Sequence, residues 1–72
     1  MPKLPVLSGK ELIKILIRVG FEEIRQKGSH VSLQKVTPEK TYRTVVPLHK
    51  DLAKGTLRDI LNQCGLTKED LF

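Results

Sequence analysis

Gly28-Ser29-His30 lies between two short strand-like runs, and a second histidine, His49, follows nineteen residues later. Imidazole is the one side chain whose unperturbed pKa lets it both take and give protons near neutral pH. Held on a rigid hairpin in a strongly basic domain, it suits acid–base chemistry on a phosphodiester. Gly and Ser also favour turns for backbone reasons alone. Spacing by itself therefore leaves a catalytic His30 and a plain turn both open.

Thirteen Lys and Arg against eight Asp and Glu give the 72-residue chain a formal charge of +5. RNA, DNA, an anionic membrane surface or an acidic protein would all be attracted, and charge alone does not choose among them. Phe21, Tyr42 and Phe72 are too few to stack several unpaired bases, so backbone contact is favoured over base reading. The length suits one domain, residues 1–72, with a small core and net stability of roughly 3–5 kcal/mol. Cys64 is the one cysteine. It cannot form an internal disulfide, and no Cys/His cluster has metal-ligand spacing, so a reducing cytoplasm is expected, with no metal and no cofactor. Met1-Pro2-Lys3-Leu4-Pro5 lacks the apolar run of a leader, and no stretch approaches the roughly 20 apolar residues that span a bilayer.

The elements that must hold these histidines read in order as helix, three strands, helix and a short capping turn. Ser8 and Glu11 have capping-box spacing, which starts a helix near Gly9. Leu12, Ile15, Leu16 and Val19 form its core stripe, and Gly20 ends it. On another face Lys10, Lys14 and Arg18 recur every four residues, either following a line of phosphates or forming a solvated surface. Phe21 to Lys27 reads as a strand with imperfect alternation, because Glu22 and Glu23 are adjacent. His30 to Val36 alternates cleanly, with Val31 and Leu33 inward and His30, Ser32 and Gln34 outward. His30 is thus expected to be exposed. Gly28-Ser29 fits a two-residue type II′ turn that holds His30 beside Lys27. A turn at Thr37-Pro38-Glu39-Lys40 leads to a β-branched strand, Thr41 to Val46, ended by Pro47. The second helix carries Leu57, Ile60, Leu61 and Cys64 on one face, with Thr56 as its expected cap and Gly65 at its end. Leu66, Leu71 and Phe72 are expected to cover the open end of the core, with Thr67 capping a last turn.

The expected fold is α+β: an α-β-β-β-α sandwich with both helices on one face of a three-stranded antiparallel sheet. Double-stranded RNA-binding domains share this topology. Such a likeness would not by itself license a function.

Ser8-Gly9-Lys10-Glu11-Leu12, Gly20-Phe21, Gly28-Ser29-His30-Val31-Ser32-Leu33, Val46-Pro47-Leu48-His49, Lys54-Gly55-Thr56-Leu57-Arg58-Asp59-Ile60-Leu61 and Gly65-Leu66-Thr67 occur in this order along nearly the whole chain. In this pattern the sequence resembles the HicA family of toxin ribonucleases. The resemblance implies a cytoplasmic mRNA interferase of a type II toxin–antitoxin system, which cleaves messenger RNA, arrests translation and growth, and is held inactive by a HicB antitoxin. It places the family's catalytic histidine on His30.

A neutral His30 would take the proton of a ribose 2′-hydroxyl, so that this oxygen attacks the adjacent phosphorus without a metal. Lys27, Arg43 and Lys50 are candidates to stabilise the added negative charge. Ser29 is either a hydrogen-bond donor to substrate or a turn residue, and His49 is either a second acid–base group or a loop anchor. Lys50, Lys54 and the helix start at Gly55-Thr56 form a candidate phosphate site. A non-catalytic RNA-binding module, or a module for an acidic protein partner, would use the same basic surface.

Overall fold

Ser8 and Glu11 settle where the chain first becomes helical. The Ser8 hydroxyl accepts from the Glu11 N–H (3.1 Å), and the Glu11 carboxylate accepts from the Ser8 N–H (3.0 Å). These bonds, from the Ser8 backbone and then its hydroxyl, hold the Glu11 carboxyl below its ordinary pKa. In this computed structural model, which describes residues 4–72, the elements are α1 (Gly9–Arg18), β1 (Glu22–Lys27), β2 (His30–Val36), β3 (Thr41–Pro47), α2 (Lys54–Cys64) and a closing 3₁₀ turn (Lys68–Leu71). Met1, Pro2 and Lys3, on which the absence of a leader was partly read, lie outside the described residues.

Both helices stop in the same way. Phe21 N–H donates to the Leu16 carbonyl and Gly20 N–H to that of Ile17, while Leu66 donates to Leu61 and Gly65 to Asn62. The glycines take positive φ, +108° and +68°. This is the paired closure that satisfies carbonyls a helix end leaves free, and it turns the next residue, Phe21 or Leu66, back onto the core. The first strand therefore begins at Glu22, one residue later than alternation suggests, because Phe21 serves the helix end.

The sheet is antiparallel in the order β1-β2-β3. Val31 pairs with Val46 and Leu33 with Thr44, and all four are buried under the helices. Leu12, Leu16, Leu33, Leu57 and Val46 are fully buried, each contributing about 1.5–3 kcal/mol over exposure. The α2 stripe is the one read from the sequence. That of α1 is rotated: Ile13 is buried, whereas Ile15 and Val19 are only half-buried. Cys64 is inside this core, and burial pushes its thiol up to about 11 despite hydrogen bonding with Thr44. The principal extents of 32 × 31 × 18 Å leave room for one sheet and one helix layer, so among the described residues no element covers the other, bare sheet face.

Three further features differ from expectation. α2 begins at Lys54 with Ala53 as its cap and no capping side chain. Leu57 N–H bonds to the Ala53 carbonyl, so Thr56 falls inside the first turn instead of capping it. Phe72 is 72% exposed: its N–H bonds to Glu69, while Leu71 takes the inward position. Finally, the register of β1 shifts between Glu23 and Arg25, so Ile24 is an extra residue in a β-bulge.

Gly28 and Gly65 test how far side-chain space matters at positive φ. An Ala at Gly65 costs about 1–2 kcal/mol for the left-handed backbone, and one at Gly28 meets its own strain of positive φ. At Gly65 the new Cβ would also come 2.8 Å from Tyr42 Cε1, whereas at Gly28 nothing lies within 4 Å. Urea unfolding should therefore show a larger loss for Gly65→Ala in the wild-type chain than in a Tyr42→Ala background. Equal losses would remove the Tyr42 contact from the account.

Candidate active site

One end of the sheet gathers most of the residues singled out above, and backbone hydrogen bonds hold them there. Gly28 (φ +58°), followed by a residue without positive φ, makes the type II′ turn that the sequence suggested. Across it Lys27 pairs with His30, and His30 pairs with Pro47 on its other side. The Ser29 carbonyl accepts from Leu48 N–H (2.7 Å), the His49 carbonyl from Gly9 N–H (2.9 Å), and the Leu7 carbonyl from Leu52 N–H (2.8 Å). The segment 47–52 is thereby tied to the hairpin tip, to the start of α1 and to the residue before its cap.

Gly9 is part of this junction because a Cβ there would collide with the Pro47 carbonyl oxygen and lie 3.0 Å from Leu48 Cα. Glycine lets the two backbones meet. The side chains at this end are not used in that assembly. Lys10, Lys27, Ser29, His30, His49, Lys50 and Lys54 are all exposed. For His49 it is the backbone carbonyl, not the ring, that anchors the loop.

Alternation settles which way His30 points. Val31 and Leu33 face the helices, so His30, Ser32 and Gln34 face the bare side. Lys27 is in the His30 row, and Arg43 is in the Gln34 row, about 13 Å further along the strands. The bulge also puts Arg25 opposite Ser32. Simple alternation from the adjacent Glu22 and Glu23 gives no sign of the extra residue, and Arg25 was therefore missed.

The other cations are distributed differently. Lys10 and Lys14 line a groove with Glu23, Gln26, Val31 and Leu48, and Lys14 and Arg18 line another with Leu7, Glu11 and Ile15. The α1 stripe is thus in the helix layer, on the side of the sheet away from His30. The two helix starts at this end differ in charge terms. That of α1 carries a capping box and Glu11; that of α2 has neither an acidic residue in its first turn nor a capping side chain. The N–H groups of Lys54, Gly55 and Thr56 therefore remain available to an anion. Among the described residues no three His, Cys, Asp or Glu side chains cluster as a metal site.

A family model described as the HicA toxin of bacterial toxin–antitoxin systems matches residues 9–66. The chain belongs to the HicA toxin family. This HicA chain is accordingly the toxin of a toxin–antitoxin system, and an antitoxin protein is its partner. The match runs from the Gly9 junction, through the hairpin, to the residue after Gly65. Comparison with individually curated proteins gives no match. No described helix of this HicA chain is long and apolar enough to cross a membrane.

Gly9→Ala should force α1 away from the 47–49 segment, at a cost of about 1–3 kcal/mol for overpacking. In amide NMR spectra the shifts of Ser29, His30 and Leu48 should move with it. A variant in which those amides stay put would show that the junction does not govern the hairpin.

Proposed function

We propose that this toxin is a metal-independent endoribonuclease, an mRNA interferase acting in the cytoplasm as a single domain, with His30 as its general base and a HicB-like protein as its antitoxin. The observation that carries the proposal is an exposed histidine with a lysine as its cross-strand partner, on a hairpin fixed by backbone bonds, in a chain of this toxin family. His30 removes the proton from a ribose 2′-hydroxyl. The oxygen attacks the adjacent phosphorus, the P–O5′ bond breaks, and the leaving 5′-oxygen takes up a proton from solvent, giving a 2′,3′-cyclic phosphate and a 5′-hydroxyl end. A positioned base contributes about 10²- to 10⁴-fold.

Charge accumulates on the phosphorus oxygens in the transition state, and a cation that is already in place stabilises it most. Lys27 is the best placed of the candidates, since its Cβ and that of His30 are cross-strand neighbours, about 4.5–5.5 Å apart. Lys50 and His49 extend from the stapled loop next to the hairpin. Arg43, two rows away, binds a neighbouring phosphate instead of the reacting one. The Ser29 carbonyl is engaged by Leu48, which leaves its hydroxyl for substrate.

Lys54, Gly55 and Thr56 supply a second anchor for the RNA chain at the start of α2. Nothing lies within 4 Å of where a Gly55 Cβ would sit, and its φ is not positive. The fold therefore gives no reason for glycine there, whereas close approach of a phosphate to backbone N–H groups does. Lys10, Lys14 and Arg18 attract RNA over a longer range.

Two experiments bear on this function. In excess EDTA the purified chain should cleave single-stranded RNA. His30→Ala should fold with unchanged thermal stability yet lose at least about 10²-fold in rate, and with it growth arrest in cells. A folded His30→Ala that still cuts would sink the assignment, and a wild type that binds RNA without cutting it would favour the binding-module alternative. Gly55→Ala should leave the fold equally or slightly more stable, by up to about 1 kcal/mol, while raising KM for RNA. An unchanged KM would remove the α2 start from the substrate path.

A further inference from the structure

The register places three cations and His30 on the bare face of the sheet. Lys27, His30 and Pro47 form one cross-strand row. Arg25, Ser32 and Val45 form the next, and Glu22, Gln34 and Arg43 the one after. Rows on one face are about 6.6 Å apart, and the outer strands about 9.5 Å apart across β2. Arg25 and Arg43 thus flank the central strand from opposite edges, and both line one depression of about 590 Å³ together with Ile24, Ser32, Val45 and, from α2, Gln63.

The one acid on this face, Glu22, accepts a hydrogen bond from Gln34 Nε2 (3.3 Å). None of the three strands sets an aromatic ring on this face: Tyr42, their one aromatic residue, is in the helix-facing set of β3 and lies against Gly65. The face offers cations and small polar groups beside the exposed Val36 and Val45, and its strands carry no stacking ring, which suits a phosphate backbone more than unstacked bases.

We infer that the RNA strand leaves His30 across the bare sheet face, with Arg25 and Arg43 gripping phosphates on one side of the scissile bond, and does not run along the α1 stripe. This track presupposes the ribonuclease activity proposed above. Geometry favours the sheet face because the cations of α1 are in the other layer. Arg18 lies eight residues from Lys10, about 12 Å along the helix, and a strand held there would have to round the edge of the sheet to present its phosphate to His30. From the His30 row, Arg25 is one row away and Arg43 two. The bulge at Ile24 has a functional consequence here: it puts Arg25 opposite Ser32, between the His30 row and the Arg43 row.

The test uses the full chain carrying His30→Ala, so that no strand is cut, titrated with a labelled single-stranded oligoribonucleotide at several salt concentrations. Arg25→Ala and Arg43→Ala should each weaken binding about five-fold and lower the salt slope by about 0.7, the value of one phosphate contact on single strands. Arg25→Lys should restore the slope. Arg58→Ala, which removes the same charge from an exposed position on α2, should change neither quantity. With His30 intact, the two sheet variants should raise KM and hold kcat.

Unchanged slopes in both sheet variants, with flattened slopes in Lys14→Ala and Arg18→Ala, would overturn the track and put the strand on the helix layer. Normal RNA binding by the sheet variants combined with loss of antitoxin binding would overturn it in favour of a protein-docking face. If the parent neither binds nor cuts RNA, it is the ribonuclease assignment that fails, an outcome distinct from either of these.

Discussion

The close approach of two backbones at Gly9 is the constraint on which the rest of the molecule depends. Where α1 starts, its first N–H reaches the carbonyl of His49, and no side chain fits between that residue and Pro47. The junction sets the height of α1 above the sheet and turns Ile13 into the core. It also pins the segment that in turn holds the hairpin tip. Three contacts between main-chain atoms thus fix the position of His30 without using a side chain from its neighbourhood.

This division of labour has an energetic logic. The stability of so small a chain comes from the apolar cluster between α1, α2 and the inner sheet face, with Thr44 the one buried polar side chain among the described residues, its hydroxyl donating to Gln63 (2.7 Å). The hairpin end adds Val31, Val46 and Leu52 to that cluster. Its outward side chains are exposed and mostly cationic, and they repel one another weakly through water. A toxin in which rigidity resides in the main chain and charge in solvent-facing side chains can keep a reactive surface without weakening its core.

Much of the fold was legible because local chemistry and the final structure agree. Ser8 with Glu11, Gly20, Gly65 and Gly28-Ser29 each announce a backbone conformation, and the apolar periods of β2 and α2 name the buried faces. The α2 start was misread because Ala53 caps it without a side-chain signal, while Thr56, which has the right chemistry, sits three residues too late. Phe72 was misread because hydrophobicity does not say which of two adjacent apolar residues turns inward. The exposure of His30 followed from alternation alone. The gathering of Pro47, Leu48 and His49 against the hairpin did not, since main-chain bonds between distant segments leave no residue-type signature apart from a glycine where backbones touch. Arg25 escaped notice for a related reason: a bulge adds a residue without changing composition.

That same bulge bears on the behaviour of the protein at high concentration. β1 is an edge strand whose six residues are all exposed, the kind of strand that can template pairing with a second copy. The extra residue at Ile24 breaks its ladder and twists it, and Glu22, Glu23, Arg25 and Lys27 surround the break with charge of both signs. Such an edge makes a poor template for an incoming strand. The most exposed strand of the sheet is thus built against pairing with a second copy.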